Sequence, residues 1–154
     1  MKRRKFLQGT IASSMIGAAV SAGLLTPRMV LAAWPEAAFK EKTVDGVLNA
    51  LTGSVNHSAS GDIKIKAPDI AENGAVVPIT VSTSLPKPES IAVLVEKNPQ
   101  PLAADFELAD NTEGFVSTRV KMGKTSDLIA VVKSGGKLFS AKKTVKVTIG
   151  GCGG

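Results

Sequence analysis

Apolar and polar positions follow two different periods along this chain. Val44, Val47, Leu48 and Leu51 have the i, i+3, i+4, i+7 spacing of one buried helix face, which predicts a helical segment over about 35–51. Pro35 suits a first helical position and Gly53 a stop. Gly46 interrupts the pattern and leaves open a division into two shorter helices.

From Asp62 onward the period is two. Strands are predicted over 63–66, 76–83, 91–96, 105–108, 115–121, 128–133, 137–141 and 144–149. Val77, Ile79 and Val81 share one face, as do Val116, Thr118 and Val120. In the last strand Val145, Val147 and Ile149 point inward, with Lys146 and Thr148 outward. The run Ile91-Ala92-Val93-Leu94-Val95 is continuous enough for a strand covered on both faces. Turn residues at 85–88, 98–101, 110–114 and 134–136 punctuate these runs. Pro78 inside a strand implies an edge position or a bulge. The expected fold class is all-β, a small immunoglobulin-like antiparallel sandwich with a short N-terminal helical segment. With one cysteine the immunoglobulin disulfide is absent.

The first residues belong to neither pattern. Lys2, Arg3, Arg4 and Lys5 precede a moderately apolar run from about Gly9 to Leu25, and small residues follow at Ala32 and Ala33. That is the plan of a secretory signal peptide. Adjacent Arg3 and Arg4 with Phe6 and Leu7 just beyond fit the twin-arginine pattern. Gly, Ser and Pro27 dilute the run below the roughly 20 apolar residues of a membrane anchor. No stable anchor is expected, and cleavage falls after Ala32 or Ala33. The organisation is then a leader over 1–33, a helical segment over 34–53, a sandwich over 54–149 and an arm over 150–154.

Export changes the charge argument. The whole chain carries +6, but five of its basic residues lie in a leader that has no acid. The remainder has 14 Lys and Arg against 13 Asp and Glu. Without a polybasic tract or an aromatic platform, nucleic-acid binding is not expected.

Self-sufficient catalytic chemistry is equally thin. His57 is the one histidine, and no second His or Cys is present to build the usual metal cluster. It reads as a solvated or locally hydrogen-bonded loop residue. Asp62, Asp69, Glu72, Glu89, Glu96, Asp105, Glu107, Asp110, Glu113 and Asp127 are scattered and read as solvated faces and turns. Phe39, Phe106, Phe115 and Phe139 read as core. No catalytic residue, metal or cofactor is assigned.

One residue stands out against this background. Cys152, the only cysteine, sits between Gly150-Gly151 and Gly153-Gly154. Glycine is the costliest residue to order, so this composition suits a mobile arm. Lacking side chains, the arm could thread a channel that larger residues would block. Five residues beyond Ile149 span about 17 Å at roughly 3.3–3.6 Å each. A leftover cysteine in an exported protein implies intermolecular pairing or a reactive free thiol. No cation lies within the arm to pull the thiol below its free value of about 8.5, so slow alkylation near neutral pH is expected.

The twin-arginine leader, the β-rich body and the terminal Val147-Thr148-Ile149-Gly150-Gly151-Cys152-Gly153-Gly154 together resemble the SoxY family, sulfur-carrier subunits of the periplasmic thiosulfate-oxidising (Sox) system. Residues 61–83 share the look of that family. The resemblance implies that Cys152 holds inorganic sulfur covalently while a c-type cytochrome couples thiosulfate to it. It also implies a hydrolase that releases sulfate, a sulfane dehydrogenase where present, and a leaderless β-protein partner, SoxZ. Export of such a folded pair would explain a twin-arginine leader on a chain without a cofactor. Three other readings stay open. One is a structural sandwich whose Cys152 forms an intermolecular disulfide. Another is a ubiquitin-like carrier using the terminal Gly153-Gly154, whose need for ATP conflicts with export. The third is a free-standing hydrolase, which would need an assembled pocket.

Overall fold

The computed structural model describes residues 35–148. Among these residues, helix α1 (Glu36–Lys40) and helix α2 (Val44–Thr52) precede nine strands. The predicted helical segment is two helices, divided before Val44 and not at Gly46, because the chain turns extended at Glu41 and Thr43. Extended Thr43 lets its Oγ1 accept the Gly46 amide at 3.1 Å and cap α2. Gly46 is small of necessity, since a Cβ there would meet the Glu41 carboxylate and Thr43 Oγ1. Gly53 ends α2 in the left-handed region at φ 71°, its amide bonded to Asn49 O at 2.8 Å.

The strands are β1 (Ser58–Ala59), β2 (Ile63–Lys66), β3 (Ile70–Ala71), β4 (Val77–Thr83), β5 (Pro88–Val95), β6 (Leu102–Glu107), β7 (Phe115–Val120), β8 (Ser126–Ser134) and β9 (Lys137–Val147). The larger sheet has the order β1-β9-β8-β5-β6, with β3 also on β9; the smaller is β2-β4-β7. The two form the predicted small β-sandwich.

Parity assigns each layer. Ile91, Val93 and Val95 of β5 and Leu128, Ala130 and Val132 of β8 face Val77, Ile79, Val81 and Val116 of the smaller sheet. Between them, Ala92, Leu94, Ile129 and Val131 face the opposite way, onto Ala38, Val47 and Leu48 of the helices. Strands β5 and β8 are therefore covered on both sides, which is why their sequences do not alternate. Each buried Val or Leu contributes about 1.5–3 kcal/mol. The exposed Lys40–Glu36 ion pair contributes less than about 1 kcal/mol. Packing onto the sheet holds the helices.

Four details differ from the expected pattern. The two strands predicted over 137–149 are one, because Lys142 and Lys143 continue β9 opposite Ile129 and Leu128. The two-residue strands β1 and β3, in parallel pairing with β9, carry too little alternation to be read from sequence. Pro78 lies in the middle strand of its sheet rather than at an edge. Strand β2, however, pairs only as far as Thr80, so Pro78 has β7 alone beside it. Phe115 is 55% exposed and not core, because adjacent Val116 takes the inward position. Val145 is buried and Lys146 exposed as expected, while Ile149 lies outside the described residues.

Candidate functional site

Cys152, the arm residues Gly150, Gly151, Gly153 and Gly154, and the leader residues Arg3, Arg4, Phe6 and Leu7 all lie outside the described residues. What the structure supplies is the ground that holds the chain up to Thr148.

That ground is held from both sides. Strand β3 runs beside the end of β9, with the Lys146 amide on Asp69 O at 2.9 Å and the Thr148 amide on Ala71 O at 3.1 Å. On the other side β8 begins at Ser126, opposite Val145. One step further the Thr125 hydroxyl stands in for a backbone acceptor and takes the Val147 amide at 3.0 Å. Lys143 fixes the approach to β3 by donating to Ala67 O at 2.7 Å and pairing with Asp69 at 3.1 Å. A Cβ on Gly74 would run into the Met122 carbonyl oxygen and lie 2.8 Å from Val147 Cγ1. The glycine lets the β3–β4 turn close over β9, and Met122 N bonds Gly74 O at 2.7 Å.

None of Thr125, Lys143, Gly74 or strand β3 was singled out by the sequence. A lone glycine in Asn73-Gly74-Ala75 reads as an ordinary turn residue, and the need for space appears only when β9 passes beneath it.

His57 is not purely solvated: its Nδ1 lies 2.8 Å from Ser140 Oγ, eighty-three residues away. The juxtaposition resembles a base beside a nucleophile, but Ser140 is only 3% exposed. Its hydroxyl is screened from substrate, and the pair ties the segment entering β1 to β9. Beside it lies a cleft of about 310 Å³ between residues 52–58 and the β8–β9 hairpin. A second cleft of about 270 Å³ separates α2 from β5 and β6. Asp105 on its wall is pushed above the ordinary carboxylate value by burial and then by the neighbouring Glu107 charge. Glu89, on the same wall, is held below its ordinary value by Lys133 at 2.9 Å and the Gly136 amide. Among the described residues, no three of His, Asp and Glu come together to hold a metal ion. No described helix is long and apolar enough to cross a membrane. The described body offers anchorage for the chain at residue 148, and no assembled catalytic group.

The comparisons with known proteins point one way. The family model for the sulfur oxidation protein SoxY matches residues 48–152, a span that ends on the cysteine. Among solved structures, the sulfur carrier protein SoxY from Chlorobium limicola f thiosulfatophilum matches at 44% identity and a TM-score of 0.64. That match covers 70% of this chain and 97% of the other. No curated protein matches in sequence.

Proposed function

Since the chain belongs to the SoxY family of sulfur oxidation proteins, we propose that it carries sulfur covalently on Cys152 and presents it to separate enzymes. The observation that carries this reading is the family match running through the glycine-flanked terminus to Cys152 itself. The anchorage of Thr148 supports it, because an arm needs a fixed end as much as a free one.

Loading joins the Cys152 thiolate to the sulfane sulfur of thiosulfate, forming one S–S bond and passing two electrons to a c-type cytochrome. The product is Cys–S–S–SO3⁻. Water then attacks the terminal sulfur under a hydrolase, which releases sulfate and two protons and leaves the persulfide Cys–S–S⁻. A sulfane dehydrogenase, where the cell has one, takes six electrons from the outer sulfur of that persulfide into its own acceptor. Three waters supply the oxygens and release six protons, giving Cys–S–SO3⁻. A second hydrolysis then releases sulfate and a proton and restores the thiol. The carrier performs none of these bond changes itself. It supplies the thiol, the reach and the docking. It works in the periplasm after twin-arginine export, paired with a SoxZ-like β-protein and without a cofactor of its own.

The test is the intact mass of periplasmic protein before and after a thiol reductant. Added masses of sulfur or thiosulfonate, removed by reductant and missing in Cys152→Ser, are expected. A bare thiol or a plain protein–protein disulfide, even after incubation with thiosulfate and the cytochrome, would return Cys152 to a structural role. The same spectrum reads the cleavage point after Ala32 or Ala33.

A further inference from the structure

The arm's length decides where a partner must sit. Thr148, the last described residue, is held by the body through its amide on Ala71 O, and Cys152 lies four residues beyond. Four residues span at most about 14 Å. Any active site that receives Cys152 must open within that distance of Thr148, so its protein must rest against this end of the sandwich.

That end is one connected surface. It is formed by the turns over 72–76, 96–101 and 121–125 around the end of β9. Asn98 joins two of them, its amide nitrogen on Lys121 O at 2.7 Å and its oxygen accepting the Gly123 amide at 3.1 Å. Met122 N on Gly74 O and Val147 N on Thr125 Oγ1 join the rest. The surface carries Lys97, Lys121, Lys124 and Lys146 against the carboxylates of Glu72, Glu96 and Asp127, the last at the start of β8 opposite Thr144. None of these seven is in an ion pair among the described residues; the pair at this end is Lys143 with Asp69. The turns at the opposite end, over 60–62, 84–87, 108–114 and 135–136, lean the other way: Lys87 and Lys137 against Asp62, Asp110 and Glu113, with Lys133 paired to Glu89. A body of nearly equal charges thus leans positive at one end and negative at the other. Of the described residues, two of the four large exposed apolar ones also lie at the positive end, Ile70 at 56% on β3 and Val76 at 50% just before β4.

We propose that this positively charged collar, with Ile70 and Val76 as its apolar contacts, docks the enzymes that act on sulfur at Cys152, and that each presents an acidic, partly apolar rim around its active-site opening. The inference rests on Cys152 being the sulfur-bearing residue. Complementary charge of this kind raises the rate of encounter and suppresses wrong orientations more than it raises final affinity. A carrier that must leave each enzyme after one step is suited by that.

Tetrathionate supplies a loading route free of any enzyme: Cys–SH + S4O6²⁻ gives Cys–S–S–SO3⁻ + S2O3²⁻ + H⁺. The experiment follows sulfate release from the loaded full chain by the sulfate-releasing hydrolase at low and high salt. Wild type is compared with Lys121→Glu/Lys124→Glu and with Ile70→Ser/Val76→Ser. A control, Asp110→Lys/Glu113→Lys, alters the opposite end. At low salt the lysine variant is expected to lose at least about tenfold in kcat/KM, mostly through KM, with a flattened salt dependence. The apolar variant should raise KM with the salt dependence unchanged, and the control should match wild type. Alkylation of the free thiol by iodoacetamide should be equal in all four. The collar is overturned if the lysine variant turns over like wild type, or if its alkylation rate changes in the same proportion, since the lysines would then act on the sulfur. Failure of wild type to form the adduct, or an equal adduct in Cys152→Ser, would instead defeat the carrier reading and the collar with it.

Discussion

Two glycine turns at opposite ends of the sandwich use the residue for opposite purposes. At the positive end Gly74 is needed for the space it leaves, because the Met122 carbonyl and Val147 occupy the position of its missing side chain. At the other end Gly135 and Gly136 have open space around them and are needed for their backbone, at φ 56° and 72° in the β8–β9 turn. The difference sets how a disturbance spreads. Crowding at Gly74 is passed to two other segments, whereas a wrong backbone at Gly135 stays within one hairpin.

The largest expected effect tests the first half of that contrast. Gly74→Val should destabilise the body by about 2–3 kcal/mol through overpacking. It should also speed hydrogen exchange at the Val147 and Thr148 amides, read alongside urea unfolding. Unchanged protection there would mean that the turn and β9 are not coupled. Gly135→Ala should cost about 1 kcal/mol, the strain of a left-handed alanine, and leave exchange at residues 147 and 148 as in wild type. A loss reaching those amides would erase the distinction between the ends.

The smallest effect concerns Glu89, which braces the same hairpin through Lys133 and the Gly136 amide. Its folded pKa is lowered, first by the Lys133 hydrogen bond, so its contribution is present above the ordinary glutamate value and fades as pH falls through the folded one. Glu89→Gln should therefore be slightly less stable than wild type at pH 7 and equal to it in strong acid. Denaturation midpoints that differ by the same amount at both pH values would assign the effect to packing. Because the pair is solvent-exposed, added salt should shrink the difference as well.

Much of this architecture could be read from the residues because the signals are local. Parity gave the inward set Val77, Ile79 and Val81, and the unbroken run 91–95 foretold a strand covered twice. Gly53 marked a helix end for the same reason, since a left-handed cap is a property of one residue. The misses are contacts between distant segments. Nothing in Ile70-Ala71 announces a parallel partner at Lys146 and Val147, and nothing in Gly74 announces β9 beneath it. Phe115 misled because its size argued for burial while its position next to Val116 argued against it, and position won. At the candidate site the residue that carries the chemistry was legible and its anchorage was not. Cys152 is conspicuous by composition, whereas Thr125, Lys143 and Asn98 become meaningful only through hydrogen bonds with distant segments.

Strand β9 has one more consequence, for the order of events during synthesis. It is the last of the described strands to be made, yet β1 and β3 near the start of the body pair with it in parallel, and β8 pairs along nearly its whole length. Contacts so far apart in the chain are slow to form and cannot begin until both ends exist. A ribosome that stalls before residue 137 leaves β1 and β3 with no partner and the β8 edge bare. Completion of the fold is thereby tied to translation through the end of β9, and a chain that has closed its sandwich has been translated almost to its cysteine.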